Sequence, residues 1–388
     1  MTESLSTPGP TLGVVGGGQL GRMLAEAASP LGIEVVVLDP TPDCPAALPA
    51  RDQIVAEFDD PEGVAELADR AGYLTYEIEL ADPDLLERAG SDADVPVHPS
   101  PDALRTIQDK LVQKRTFDEE GIPVPPLRQV DDAADLEVAI EELGSPIMLK
   151  AREGGYDGRG NVPVEAGDDF EAKLAEIGNR PAMAEAFVDF ERELSVVGVR
   201  GPDDLRTFPA VENVHREEIL RTTIAPARTP EPVRERAREV ARDTLDVLGG
   251  RGVFAVELFE ADGEILVNEV APRPHNSGHW TIEGAVTSQF AQHVRAVTGR
   301  PLGSTSIREP TVMVNILADV EEPRPAELSG VDEVLSTPGA HLHWYGKREA
   351  RPLRKMGHVT MTPAEEGEGI EELLARGREL RDELTFVE

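Results

Sequence analysis

The sequence predicts an α/β protein: a doubly wound parallel-sheet region at the N-terminus, a larger central region rich in antiparallel hairpins, and a small C-terminal part. Three observations predict it. Over the first hundred residues short apolar runs alternate with helix-forming runs, the pattern of a parallel sheet covered by helices. Near the middle, VFAVELF (Val253 to Phe259) and EILVNEVAP (Glu264 to Pro272) flank Ala261-Asp262-Gly263, a turn signal that joins them as an antiparallel hairpin. Beyond about Pro301 the strand-like runs VMVNIL, HLHWYG and HVTMT precede an acidic terminal helix.

The length, 388 residues, allows two or three domains, and the 40% hydrophobic content excludes wholesale disorder. The N-terminus, MTESLSTPGP, is polar, and no apolar run reaches eighteen residues, so a soluble cytoplasmic protein is expected. A single cysteine, Cys44, excludes an internal disulfide and argues against a thiolate zinc site. The net charge is −36, and only six of the 38 basic residues are Lys. So acidic a surface argues against nucleic acid or an anionic membrane as partner. The acids are spread along the chain, as in Asp59-Asp60, Glu141-Glu142 and Glu321-Glu322, a distribution that suggests adaptation to high salt.

In order, Thr11 to Val15 is a strand running into Gly16-Gly17-Gly18-Gln19-Leu20-Gly21, followed by the helix-forming RMLAEAAS and a strand, IEVVVLDP, that ends at Asp39. This matches the G-x-G-x-x-G dinucleotide fingerprint with its distal acid; physically it specifies a tight strand-to-helix turn suited to an anion, or a glycine turn with no ligand. A third strand (Gln53 to Ala56), a helix (Pro61 to Ala71) and the strand-like YLTYEIE from Tyr73 follow. Glu77 and Glu79 share a face near a strand end, where open parallel sheets bind ligands, and Glu79 is read as solvated. After a Pro-rich linker a helix from Asp102 to Glu120 carries Lys110 and Lys114 one turn apart. A strand ends at Lys150 and leads into Gly154 to Asn161, a glycine-rich loop with a strand lysine beside it, which is a recurrent way to hold ATP. From Ala182, MAEAFVDFERELSVVGVR reads as two strands around a turn. They carry Glu185 and Glu193, with backbone at Ala186 to Val188 able to read an adenine. His215 alone reads as structural, and the helices Pro232 to Leu248 and TSQFAQHVRAVTG read as packing elements.

The hairpin carries the chemistry. Alternation puts Glu257 on one face with Val253 and Ala255, and Glu269 two residues from Val267. Two acids and the Asn268 amide oxygen form an all-oxygen set suited to magnesium, or two acids facing solvent. A polar loop follows with Arg273, His275, Asn276, Ser277 and Gly278. Lys347, Arg354 and Lys355 are a basic cluster late in an acidic chain, read as a phosphate clamp or a solvated turn.

With GGGQLGRML (16–24), TYEIE (75–79), GGYDGRGN (154–161), EILRT (218–222), NEVAPRPHNSGHW (268–280) and HLHWYGKREARPLRKMGH (341–358) in this order, the chain resembles the ATP-grasp superfamily. Within it the chain resembles the 5-(carboxyamino)imidazole ribonucleotide synthases of purine biosynthesis. The resemblance implies an ATP-grasp fold divided as 1–100 (pre-grasp), 101–300 (grasp, lid about 125–190) and 301–388 (C-terminal), commonly a homodimer. It implies a ligase that uses ATP, bicarbonate and 5-aminoimidazole ribonucleotide, forming carboxyphosphate on the way. Lys110, Lys150, the loop residues Gly155, Tyr156, Gly158, Arg159, Gly160 and Asn161, the segment Glu185, Ala186, Phe187 and Val188, then Glu193, His215, Asn268 and Glu269 would hold ATP. Glu257 and Glu269 would hold magnesium, or manganese. The ribonucleotide would meet Gln19, Leu20, Glu77, Tyr156, Asp157, Arg273, Asn276, Ser277, Lys347, Arg354 and Lys355. Asp157 would orient or deprotonate its amine, while Arg273 and His275 would hold bicarbonate. Gly17, Asn161 and the acidity depart from the family pattern. Competing readings are another ATP-grasp carboxylate-amine or formate ligase, a dinucleotide-binding oxidoreductase, and a nucleotide-sensing module.

Overall fold

The computed structural model describes residues 5–154 and 160–387. The N-terminal sheet is parallel throughout, in the order Asp52–Ile54, Glu34–Leu38, Thr11–Val15, Tyr73–Tyr76. Its strands are apolar on both faces because helices cover both. Leu20, Met23 and Leu24 of helix Gln19–Ala28 pack on one side, and Val64, Leu67 and Leu86 of helices Pro61–Arg70 and Pro83–Ala93 on the other.

The centre of the molecule is a nine-stranded sheet whose named pairs are all antiparallel. Its order is Glu264–Ala271, Gly252–Ala261, Arg192–Arg200, Val211–Arg216, Ile219–Ala225, Thr311–Leu317, Lys355–Met361 and Ala340–Trp344, with Leu205–Thr207 beside Arg192–Arg200. The C-terminal strands therefore extend the same sheet that carries the central hairpin. Helix Glu231–Leu248 covers one face of this sheet with Ala237, Val240, Ala241 and Leu245. The predicted hairpin is present, and Asp262 and Gly263 at its turn both have positive φ, 51° and 79°. That is the backbone a two-residue primed turn needs.

A separate antiparallel sheet, Leu127–Val130, Ala182–Ala186, Ile147–Ala151 and Asn161–Val164, packs with helices Ala133–Leu143 and Phe170–Glu176 into one unit, the segment expected above as a lid and given that name. Here two expectations change. Ala182–Ala186 and Arg192–Arg200 are not partners around a turn: the first belongs to the lid and the second to the nine-stranded sheet, and residues 187–191 cross between them. The helix expected from Asp102 to Glu120 is two, Pro101–Gln108 and Lys110–Glu119. Asp109 breaks it: its backbone is extended, and its carboxylate accepts from the amides of Leu111 and Val112 as an N-cap. The same carboxylate holds Arg152 of the lid, and the Lys110 amide donates to the Arg152 carbonyl at 2.9 Å. The break thus aims Lys110 from a helix start toward the hairpin.

Candidate active site

Strand pairing places Glu257 opposite both Glu269 and Ser195, and Asn213 opposite Glu193, so one face of the nine-stranded sheet gathers these polar residues. Further along the same face Val197, Val199, Val253 and Ala255 are core. A bulge sits in the hairpin: Glu257 pairs with Glu269 but Leu258 with Val267, so Asn268 is the extra residue. This corrects the simple alternation. Val267 packs into the core with Leu258 on the far side, while Glu269 returns to the site face. A bulge is a common way to re-aim a side chain at a site.

Three lysines meet this face. Lys110 Nζ lies 2.6 Å from Glu269 Oε1. Lys150 Nζ lies 2.5 Å from Glu185 Oε2 and 3.2 Å from Asn268 Oδ1, which ties the lid to the bulge. Lys114 Nζ lies 2.6 Å from Glu185 Oε1 and donates to the Val267 carbonyl, also at 2.6 Å. The pairs differ in worth. Glu269 keeps 48% of its side chain accessible, so its pairing contributes about 0–1 kcal/mol and is easily exchanged. Lys114 and Glu185 are 2% and 3% accessible, and removing one partner from such a pair costs about 3–5 kcal/mol. Desolvation, by burial at Glu185 and by the surrounding cleft at the more open Glu269, would raise both carboxyls, but the lysines overcome it and hold both below the usual range. At Glu257 the balance reverses: burial, with Glu269 and Glu193 adding to it, outweighs His215 and Lys355 and pushes its carboxyl up. A crowded carboxylate beside a second, exchangeable one suits a divalent cation whose remaining ligands are phosphate oxygens and water. Among the described residues no group of three or more His, Cys, Asp and Glu is arranged to hold a metal, so protein ligands here would number two carboxylates and an amide.

The loop after the hairpin is held from several sides. Arg273 Nη2 donates to Glu79 Oε2 at 2.8 Å, so Glu79, expected to be solvated, is instead the partner that fixes this guanidinium. His275 Nδ1 accepts from the Ser277 amide and lies 3.0 Å from Ser277 Oγ, which leaves the proton on Nε2, 3.4 Å from Glu257 Oε1. Burial, reinforced by Arg273 and Lys355, keeps this ring neutral. Gln289, fully buried, accepts from the His275 amide and donates to the His275 carbonyl.

At the N-terminal sheet Glu77 Oε1 accepts from the Gly18 amide at 2.5 Å, and burial raises its carboxyl to about 7 against the pull of Gly18 and Arg273. A Cβ at Gly16 would sit 2.6 Å from Glu77 Cγ, so the loop's glycines make room for this acid. Asp39, the expected ribose acid of a dinucleotide site, is buried; its two oxygens accept from the Gly17 and Thr41 amides. It supports the loop itself. Gln19 and Leu20 form the first turn of the helix behind it.

Among the described residues several of the predicted site residues converge. Glu193 Oε2 and His215 Nδ1 are 2.7 Å apart, so His215 joins the site face. Lys347 acts on the charge of Glu77, and Lys355 on His215, Glu257 and His275, which brings the basic cluster to the same cleft. Lys347 also donates to the Lys355 carbonyl at 2.7 Å, and Arg354 to the Glu349 carbonyl at 2.8 Å. After the lid strand Phe187 is half exposed, and the Ala186 amide is bonded to the Pro126 carbonyl. Asn276 is buried and its amide exchanges hydrogen bonds with Asn315, at 3.0 and 2.6 Å. Ser277 is fully buried. Gly155, Tyr156, Asp157, Gly158 and Arg159 lie outside the described residues; Gly160 and Asn161 lie within them, and Asn161 bonds Glu218. Sequence reasoning assigned no role to Lys114, Gln289 or Asn315. The spacing of Lys114 from Lys110 was a usable signal, whereas Gln289 sits in an ordinary amphipathic helix and carried none.

Family models match three stretches of the chain. The family model for the ribonucleotide synthetase preATP-grasp domain matches residues 10–108, and that for the ATP-grasp domain 115–290. The phosphoribosylaminoimidazole carboxylase C-terminal domain matches 311–372. Fold and site define an ATP-grasp enzyme, an ATP-dependent ligase. N5-carboxyaminoimidazole ribonucleotide synthase of Brucella melitensis is 43% identical over 364 residues, covering 93% of this chain and 98% of the relative. The crystal structure of the synthetase from Thermotoga maritima is similar at a TM-score of 0.87 and 40% identity, over 97% of this chain and 99% of that one. The Aspergillus clavatus synthase in complex with ADP and 5-aminoimidazole ribonucleotide is similar at 0.88 and 37%, over 96% and 98%. The chain belongs to the N5-carboxyaminoimidazole ribonucleotide synthase family, ATP-dependent ligases of purine biosynthesis.

Proposed function

We propose that the cleft binds ATP, bicarbonate and 5-aminoimidazole ribonucleotide, and joins bicarbonate to the exocyclic amine of the ribonucleotide through carboxyphosphate. The observation that carries this reading is the bulged hairpin, where Glu257 faces Glu269 and Asn268 beneath the lysines. Glu257, Glu269 and Asn268 would hold magnesium or manganese, which supplies charge neutralisation on the β- and γ-phosphates. Lys110 and Lys150 are positioned to take phosphate oxygens in place of Glu269 and Asn268, and the loop from Gly155 to Asn161 is assigned to the same phosphates. Glu185 to Val188 would read the adenine, and Glu193, with His215 behind it, the ribose.

Arg273 and neutral His275 offer N–H donors to bicarbonate next to this site. A bicarbonate oxygen attacks the γ-phosphorus, the bond to the ADP oxygen breaks, and carboxyphosphate forms. The amine nitrogen then attacks the carboxyl carbon, the carbon–oxygen bond to phosphate breaks, and a proton leaves the amine toward Asp157. Excluding water matters because carboxyphosphate is hydrolysed readily. Glu77, Gln19 and Leu20 on one side and Lys347, Arg354 and Lys355 on the other are assigned to the ribonucleotide, with Asn276 and Ser277 lining its end. The reading includes a cytoplasmic homodimer, three segments at 1–100, 101–300 and 301–388, and adaptation to high salt.

The test is isotopic. Bicarbonate labelled with oxygen-18 should deliver one label to the inorganic phosphate, since the bridging oxygen leaves with phosphorus. Unlabelled phosphate in a working reaction would refute the carboxyphosphate route. A formate-dependent ligation of another ribonucleotide amine would instead favour the second ATP-grasp reading.

A further inference from the structure

Lys114 is 1% exposed, and an ammonium so buried is tolerated only with close partners. It has two, from different sheets: Glu185 Oε1 on the lid strand and the Val267 carbonyl beside the bulge, each at 2.6 Å. Glu185 in turn holds a second ammonium, Lys150, at 2.5 Å. Lys150 can leave. It also touches Asn268, and it sits on a strand that leads straight into the glycine-rich loop. Lys110 can leave too, because its partner Glu269 is half exposed. Lys114 has nowhere to go, since both of its contacts are protein and it is shut off from solvent.

We propose that Lys114 is a positioning residue for ATP: the standing counter-ion that keeps Glu185 and the bulge carbonyl of Val267 in register while Lys150 and Lys110 exchange their protein partners for phosphates. The proposal rests on the assignment of Lys110 and Lys150 to phosphate. Without Lys114, the cation left on Glu185 among the described residues is Lys150, and Glu185 retains it, so ATP must compete with a buried carboxylate for that ammonium. With Lys114 in place the carboxylate stays neutralised after Lys150 departs, and Asn268 and Glu269 stay aimed at the cleft. Burial, with Lys150 and Lys110 adding to it, lowers the Lys114 ammonium to about 8 against the pull of Glu185.

The experiment compares Lys114→Met, Glu185→Gln, Lys114→Met/Glu185→Gln and Lys150→Met with the parent enzyme in steady-state kinetics at constant high salt, each variant checked by thermal melting. Lys114→Met should raise KM for ATP by about tenfold or more, and leave KM for 5-aminoimidazole ribonucleotide within about twofold. The double variant, which removes both buried charges, should bind ATP more tightly than Lys114→Met, because the neutral amide introduced by Glu185→Gln no longer retains Lys150. A purely structural role predicts recovery in melting temperature with the KM values of all substrates moving alike. If Lys114→Met does not fold, the double variant is read against Glu185→Gln alone: an ATP KM within about twofold of that single variant supports the proposal, and one about tenfold or more above it overturns it. An unchanged ATP KM in Lys114→Met, or equal rises for all substrates, also overturns it. Lys150→Met separates the two levels. If it weakens ATP while Lys114→Met does not, the assignment of Lys150 stands and the role of Lys114 falls. If it leaves ATP binding intact, the phosphate assignment falls and the proposal with it.

Discussion

Glu77 shows how much a single site residue costs the fold. Its carboxyl, ordinarily at 4.5, rises to about 7 because burial outweighs the Gly18 amide and Arg273. A raised carboxyl pKa means that the folded chain binds the proton more tightly than the unfolded one. Ionised Glu77 therefore removes stability as pH climbs from about 4.5 through about 7, the reverse of a salt-bridged carboxylate. Glu77→Gln keeps an acceptor for the Gly18 amide and removes the buried charge. It should melt a few degrees above the parent at pH 8, with the gain shrinking through pH 5.5 and gone below about 4.5, read by thermal melts at one salt concentration; an equal gain across this range would contradict this account. At this scale the sequence was readable where a residue type broke its surroundings. Glu257 and Glu269 stood out as acids among aliphatics, and Lys110 and Lys150 as rare lysines. Gln289 and Asn315 did not, because a buried amide that holds a loop looks like any polar residue until its partners are known.

Among the elements, the strands were legible and the interruptions were not. Thr11–Val15 and the central hairpin follow from apolar runs and turn residues, which are local properties. The bulge at Asn268 and the break at Asp109 are not purely local. The bulge depends on how two strands count residues against each other, and at Asp109 the local cap is joined by the Arg152 guanidinium and carbonyl arriving from the lid. The shared run of Ala182–Ala186 and Arg192–Arg200 misled for the same reason, since strand partners are chosen by the whole fold. Asp109 can be tested as a cap and as an ion-pair partner separately. Burial would raise its carboxyl, but Arg152 and the Leu111 and Val112 amides hold it low. Asp109→Ala should cost about 1–2 kcal/mol through lost capping, measured by chemical denaturation. Asp109→Asn, which can still cap, should cost less. Equal costs would mean that the ion pair and not the cap dominates.

For the whole molecule, charge is the dominant fact. With 74 acidic against 38 basic residues the surface repels itself, and many of its ion pairs are exposed arginine contacts, such as Arg348–Asp43, that contribute little. Salt screens the repulsion within a Debye length of about 10 Å at 0.1 M and about 3 Å at 1 M. The melting temperature should therefore climb steadily from low to molar salt, and a flat profile would remove the case for high-salt adaptation. The same acidity leaves the site as an exception, a place where Lys110, Lys114, Lys150, Lys347 and Lys355 gather five of the six lysines of the chain. In the proposed function that gathering holds a polyphosphate and a ribonucleotide phosphate together in a strongly acidic protein, and the use of both is the central claim. The most direct measurement is ADP release at high salt with each substrate left out in turn. Full rate should require ATP, bicarbonate and 5-aminoimidazole ribonucleotide together; full rate with formate and glycinamide ribonucleotide in their place would contradict the account.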